Sequence, residues 1–379
     1  MLRTVKNAAK WLIDSMPGGN YIVFESIPNL SDNTRAVFDE MQRRGLQKRY
    51  RMYWWVADRK ADLPRFPNTG YLDQKTAWNR FRFRWITMRA RCLICCNGFL
   101  PVFFPSRTSF YLTHGTALKK LNNYCLPEGI SYTLVDSAHV RDVMARELRG
   151  DIDTFYALGY PRNDVLHRAD RDLHALFPGE FQKVIVWYPT FRQHKGGLKT
   201  GARNGLPVLH DTQAALRLNE AAKEQGVLIV AKPHFAQDIS YIKQYDLSNI
   251  RFIDDAFFAE NNISSYEFVG SCDALITDYS SIYFDYLLCG KPVAVIWEDI
   301  GDYRKNPGFA MDPEFYMDGA HKIYTLSDFI GFLSCVARGE DAGRAQRDKI
   351  SALVNYAPDG NNARRVTDFI IQKANLKEG

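Results

Sequence analysis

Several short strings in this chain set histidines, lysines, an arginine and hydroxyls beside turns. His114-Gly115-Thr116 follows an apolar run and precedes Lys119-Lys120. Lys232-Pro233-His234 ends a second run, Thr190 with Arg192 ends a third, and Asp278-Tyr279-Ser280-Ser281 divides a fourth from a helix-compatible segment. An imidazole titrates near neutral pH, so it can take a proton from an attacking hydroxyl. Gly115 lets a ligand come close to the backbone. Ser280 and Ser281 at a helix start offer hydroxyls beside free backbone N–H groups at the positive end of the helix dipole, a setting that suits phosphate. They can equally be ordinary caps. A further string, Gly159-Tyr160-Pro161-Arg162-Asn163-Asp164, is a turn rich in hydrogen-bonding groups.

The elements that must hold these groups alternate. Residues 271–297 read strand (Ala274 to Ile276), turn, helix (Ile282, Phe284, Leu287, Leu288), a stop at Gly290, and strand (Val293 to Ile296). Earlier strands are expected at Tyr21 to Phe24, Met52 to Val56, Cys92 to Cys96, Phe110 to Thr113, Tyr132 to Val135 and Phe155 to Leu158. Later ones are expected at Lys183 to Tyr188, Val227 to Ala231 and Ile250 to Ile253. Helices are expected from Thr34 to Arg44, Ala138 to Arg149, Thr212 to Gln225, Asn262 to Ser271, Ser327 to Ala337 and Asn361 to Ala374, with an irregular stretch from Glu298 to Pro313. This alternation specifies an α/β fold of two doubly wound domains. The polar stretch around Pro178-Gly179 is the linker, giving an N-terminal domain of 1–175 and a C-terminal domain of 176–379, whose last helix is able to pack back on the first domain. The unusual residues fall at strand ends, where open sheets meet ligands.

The composition is that of an ordinary globular protein, 379 residues with 46% hydrophobic and 24% charged. The net charge of +6 is unevenly placed: residues 43–91 hold fourteen Lys or Arg against three Asp. That excess calls for an anionic partner. Between residues 76 and 91, arginines at 80, 82, 84, 89 and 91 interleave with Trp78, Phe81, Phe83, Trp85 and Ile86 in a near alternation unlike a helix. Stacking on nucleic acid, an anionic membrane surface or a basic layer over a core would each use such a stretch; no nucleic-acid module accompanies it, and nucleic acid is not expected as a partner. Seven scattered cysteines make no disulfide framework and fit a reducing, cytoplasmic setting. Cys92, Cys95 and Cys96 lie in an apolar run without a second ligand pair, so buried thiols are expected rather than a metal centre. No signal peptide and no spanning helix are expected. Residues 8–16 read as a short amphipathic helix, and the basic, Gly-rich residues 193–204 as a mobile loop.

Taken in order, FES with SDNTRA at 24–36, HGT with LKK at 114–120, GYPRND at 159–164, PTFR at 189–192, KPH at 232–234 and DYSSIYFDY at 278–286 resemble the CDP-glycerol glycerophosphotransferases of teichoic acid and related polyol-phosphate polymer synthesis. The resemblance implies a GT-B type fold, two Rossmann-like domains facing a central cleft with the nucleotide held by the C-terminal one. It implies CDP-glycerol or CDP-ribitol as donor, a lipid-linked or polymeric saccharide as acceptor, no metal or other cofactor, and a peripheral place on the inner face of the cell membrane, reached through the basic residues 43–91. His114 is then the expected base and His234 the second catalytic histidine. Gly115, Thr190, Arg192, Lys232, Asp278, Ser280 and Ser281 are expected around the donor phosphates, with Asp278 orienting His234 or a ribose hydroxyl, or merely forming the turn. Arg162, Asn163 and Asp164 are expected to shape a cleft wall, and Glu25, Ser26, Lys119 and Lys120 the acceptor side. Phe191 stands where the family often has Trp, and the resemblance loosens after Pro292. A nucleotide-sugar transferase on the same fold, and a non-catalytic polyanion-binding protein, are the alternatives.

Overall fold

Runs such as YIVF, CLIC, VIVW, VLIVA and VAVI are apolar at successive positions, the pattern of parallel strands covered on both faces. The computed structural model, which describes residues 19–98, 100, 107–122, 124–190, 206–234, 237 and 239–378, folds them that way. The expected helix at 8–16, Arg192 and the expected loop at 193–204 lie outside the described residues.

The chain divides into two units: Met1–Gly115, Asn123–Asp164 and Asp359–Gly379 form the first, Thr116–Asn122 and Val165–Pro358 the second. The sequence suggested a single boundary near residue 175. The division instead falls after Asp164, and the seven residues Thr116–Asn122 join the second unit, while the final helix belongs to the first, as the sequence allowed.

In the first unit β1 (Tyr21–Glu25), β2 (Arg51–Trp55), β3 (Thr69–Leu72), β4 (Cys92–Cys95), β5 (Thr108–Tyr111), β6 (Tyr132–Val135) and β7 (Phe155–Ala157) form a 7-stranded sheet in the order β3-β2-β1-β4-β5-β6-β7. All its pairings are parallel. One face is covered by helix Asp32–Arg43 and closing helix Asn362–Lys373, and Phe24, Phe38, Trp54, Val366 and Ile370 share one core. Phe24 lies 5.3 Å from both the Phe38 and Trp54 rings.

The second unit carries β8 (Lys183–Trp187), β9 (Val227–Ala231), β10 (Ile250–Phe252), β11 (Ala274–Thr277), β12 (Val293–Ile296) and β13 (His321–Ile323) in the order β10-β9-β8-β11-β12-β13, again parallel throughout. Helices Thr212–Glu224 and Leu326–Arg338 cover one face through Ala215, Leu218, Phe329 and Leu333. In each sheet the chain starts in the middle, winds outward, returns and continues the other way, which is the Rossmann-like, doubly wound order. The reversal lies between β1 and β4 in the first unit and between β8 and β11 in the second; ligands of open α/β sheets bind at that point.

Two local expectations need correction. Residues 77–88 are a helix, its N-terminus capped by the Thr76 side chain, which accepts from the Asn79 N–H. The alternation misled because only one of its four aromatics is buried: Asn79, Phe83, Ile86 and Thr87 face inward, while Trp78, Phe81 and Trp85 are 67%, 57% and 41% exposed. Residues 300–305, expected to be irregular, are helical. Cys92, Cys95 and Cys96 are fully buried, and burial pushes the Cys92 thiol up to about 12 and the other two well above their ordinary value.

Candidate functional site

In the second unit the reversal point is built by the strands' exits. β8 leaves through Tyr188-Pro189-Thr190 and β11 through Asp278-Tyr279-Ser280-Ser281. Asp278, fully buried, accepts from the Thr190 N–H at 2.7 Å and from the Thr190 hydroxyl. Two of the expected donor-site residues are therefore in contact. Beside them the Tyr279 hydroxyl donates to Asp299 at 3.0 Å, and its ring packs on Tyr303 at 4.1 Å and Phe309 at 5.4 Å. Helix Ile282–Tyr286, continued by the 3-10 turn Leu287–Cys289, stops at Gly290, which takes a left-handed φ of 58°. The Ser281 side chain makes no capping bond to it; the backbone carbonyls of Ser280 and Ser281 accept the first bonds, from Tyr283 and Phe284. So short a helix is a weak dipole, and the Ser281 hydroxyl is not its cap.

At the end of β9, Lys232 forms an ion pair of 2.9 Å with the exposed Asp255, and His234 is exposed, its carbonyl accepting from the Gln237 N–H. The ion pair was not visible in the sequence, since Asp255 lies 23 positions away in an acidic helix start. Lys119 and Lys120 were expected on the acceptor side. They belong to the second unit, where the Lys120 N–H donates to the Gly308 carbonyl at 3.1 Å and Lys119 bridges to Phe309. The Lys120 side chain lines an open cavity of ≈ 340 Å³ together with Arg304, Phe309 and Met311.

In the first unit the reversal point is closed by carboxylates. Glu25 ends β1 with no exposure and accepts from the Cys96 N–H at 3.2 Å and the Gly98 N–H at 3.1 Å. Burial pushes its carboxyl up from 4.5 to about 7, against the pull of those two N–H groups and with help from the negative Asp32. Any side chain at 98 would collide with it, because a Cβ there would sit 2.6 Å from Glu25 Oε1. Ser26 bonds within its own loop, donating to the Pro28 carbonyl and accepting from the Ser31 N–H. Asp32, next along, is half-buried; desolvation would raise its carboxyl, but the Arg162 guanidinium, Asn97 and the Asn33 N–H hold it below the usual range.

His114 follows β5, half-buried between Thr113 at φ 45° and Gly115 at φ 137°, with its ring 6.5 Å from Tyr124. Arg162, Asn163 and Asp164, expected to shape a cleft wall, are buried and bonded within the first unit. Arg162 bonds Asp32 at 2.8 Å and lies over the Tyr160 ring, the Asn163 N–H donates to the Tyr160 carbonyl, and Asp164 accepts from the Asn362 and Ala363 N–H groups at 2.8 Å each. Asp164 thereby caps the closing helix. The sequence reading missed Asn33 as a connector: its side chain donates to the Thr113 carbonyl and accepts from the Arg162 N–H. The only signal was the SDNT string, which reads as a helix start.

Comparison with known proteins gives three useful relatives. The teichoic acid poly(glycerol phosphate) polymerase of Bacillus spizizenii is 27% identical over 325 residues, covering 77% of this chain and 78% of that protein. The polymerase of the same description from Bacillus subtilis is 26% identical over 329 residues, 77% of this chain but only 41% of that one. Among solved structures, the wall teichoic acid polymerase TagF superposes with a TM-score of 0.72 at 21% identity, covering 99% of this chain and 97% of that chain, a likeness of fold. The model of the CDP-glycerol:poly(glycerophosphate) glycerophosphotransferase family matches residues 12–372, and the chain belongs to that family.

Proposed function

We propose that the protein transfers a polyol phosphate, glycerol phosphate foremost, from a CDP-activated donor to a hydroxyl of a lipid-linked saccharide or a growing teichoic-acid or capsule-type polymer, releasing CMP. The observation that carries this reading is the Thr190–Asp278 junction at the reversal point of the second sheet, which sets Ser280 and Ser281 where an open sheet receives a nucleotide's phosphates. Family membership supports the chemistry, and the Bacillus relatives are polymerases of glycerol phosphate.

The acceptor hydroxyl is neutral and gains from losing its proton as it attacks phosphorus. His114 is the base in this reading, an assistance of about 10²- to 10⁴-fold. Hydroxyls and N–H groups of residues 190 and 280–281, with His234, Lys232 and Arg192, meet the charge of the donor and of the leaving CMP. No metal is part of the reading, so turnover in excess chelator is expected to equal turnover without it. The enzyme works on the cytoplasmic face of the membrane, and helix Ala77–Met88, with Trp78, Phe81 and Trp85 exposed among arginines, is the contact with anionic lipid.

The test is release of CMP from CDP-glycerol and CDP-ribitol, set against release of nucleotide from UDP-sugars, with a lipid-linked acceptor. Turnover of a CDP-polyol that falls at least 100-fold in His114→Ala, with CDP affinity kept, is expected. Turnover of only UDP-sugars would replace the reading with a sugar transferase.

A further inference from the structure

We infer that Asn33 is the positioning residue for His114: its side-chain amide locks the peptide that carries the imidazole. The inference rests on the reading of His114 as base and adds the group that aims it.

The peptide between Thr113 and His114 is planar, so whatever fixes the Thr113 carbonyl also fixes the nitrogen and Cα of His114. That carbonyl accepts from Asn33 Nδ2 at 2.9 Å and from Cys96 Sγ at 2.9 Å. Thr113 is 1% exposed and sits at φ 45°, a left-handed conformation that a β-branched residue adopts only under constraint. Its hydroxyl donates to the Leu134 carbonyl at 2.8 Å, so β6 holds it from the far side.

Asn33 is itself held on every side. It is fully buried; its Oδ1 accepts from the Arg162 N–H at 3.0 Å, and its own N–H donates to Asp32 Oδ1 at 2.7 Å. The same Asp32 oxygen receives Arg162 Nη1 at 2.8 Å, and the other receives Asn97 Nδ2 at 3.0 Å. Residues from two separate motifs, SDNT and GYPRND, thus meet the residue just before HGT in one largely buried network whose outlet is the Thr113 carbonyl. An amide is required at 33 because the position must donate on one side and accept on the other. Aspartate keeps the acceptor for Arg162 and turns an oxygen toward the Thr113 carbonyl. Serine is too short to reach it.

A base acts through alignment, and a displacement of about 1 Å costs on the order of 100-fold in rate. Asn33→Ser and Asn33→Asp are each compared with His114→Ala and with the double variants, reading CMP release from CDP-glycerol, the KM for that donor, and CDP binding by calorimetry. The expected result is a fall of about 10- to 100-fold in kcat for both Asn33 variants, with donor KM and CDP affinity within twofold of the parent. Each double variant should turn over no more slowly than His114→Ala alone, since the base being aimed is already gone. Near-normal kcat in both Asn33 variants, with His114→Ala inactive, would overturn the positioning role while sparing the base. Losses that multiply in the double variants, or CDP affinity falling along with kcat, would mean that Asn33 only supports the fold. Near-normal turnover in His114→Ala would overturn the base reading and this inference with it.

Discussion

Glu25 is the residue whose environment most changes its chemistry. Its folded carboxyl titrates near 7 rather than 4.5 because it is sealed from water, so the fold prefers it protonated. The sign follows: the stabilising effect of that protonated form is complete below about pH 4.5 and is lost as pH rises through about 7, a change of about 3 kcal/mol. Asp32 runs the opposite way, since its lowered carboxyl stabilises the fold above its ordinary range and fails only in stronger acid. Urea unfolding at pH 5 and pH 8 should show the parent losing stability between the two, and Glu25→Gln should remove most of that difference; equal slopes would clear Glu25. The serines of the second unit call for a different measurement. Ser281 does not cap its helix, so Ser280→Ala with Ser281→Ala should weaken CDP binding about 5- to 30-fold, at about 1 kcal/mol per hydroxyl bond, while the thermal midpoint barely moves. A drop in midpoint with unchanged CDP affinity would make them structural.

Asp164 shows what an element gains from one side chain. It receives the first two N–H groups of the closing helix at 2.8 Å and is 7% exposed. Asp164→Ala should therefore cost about 2 kcal/mol, near the upper end for a cap, and Asp164→Asn rather less; the midpoint of thermal unfolding decides it. The helix itself was legible in NNARRVTDFIIQKA, whose Val366 and Ile370 recur with helical spacing. Its cap was not, because Asp164 lies 198 positions earlier and GYPRND reads only as a turn. The buried strands were equally legible, as continuous apolar runs mark parallel sheets. The short edge strands at 69–72 and 321–323 were not: TGYL and HKI carry too few apolar groups to stand out. Helix Ala77–Met88 was misread for a physical reason, namely that three of its four large aromatics, Trp78, Phe81 and Trp85, face solvent while its buried side includes Asn79 and Thr87.

For the whole molecule, that exposed aromatic face is the feature on which the proposed membrane contact rests. Trp78 and Phe81 stack at 5.6 Å, and Arg89 lies over the Trp85 ring. Among the described residues no helix is long and apolar enough to cross a membrane. Replacing Trp78, Phe81 and Trp85 together by Ala should abolish sedimentation with phosphatidylglycerol vesicles at low salt and leave CDP binding intact. Undiminished sedimentation would remove the helix as the contact. At this scale the sequence conveyed two doubly wound domains but not their membership, because which unit a segment joins depends on distant contacts rather than on local pattern. The motif strings marked the strand exits, whereas the Asp32–Asn33–Arg162 network arises only once residues 130 positions apart are brought together.

That membership has an outcome for synthesis of the chain. Residues 359–378 are made after the whole of the second unit, yet Val366 and Ile370 fill the same interior as Phe24 and Trp54. The lobe begun first thus waits for the other to be synthesised: until helix Asn362–Lys373 has been made, its sheet keeps part of a greasy flank uncovered, and any nascent fragment that stops short of that helix exposes the flank to chaperones and aggregation.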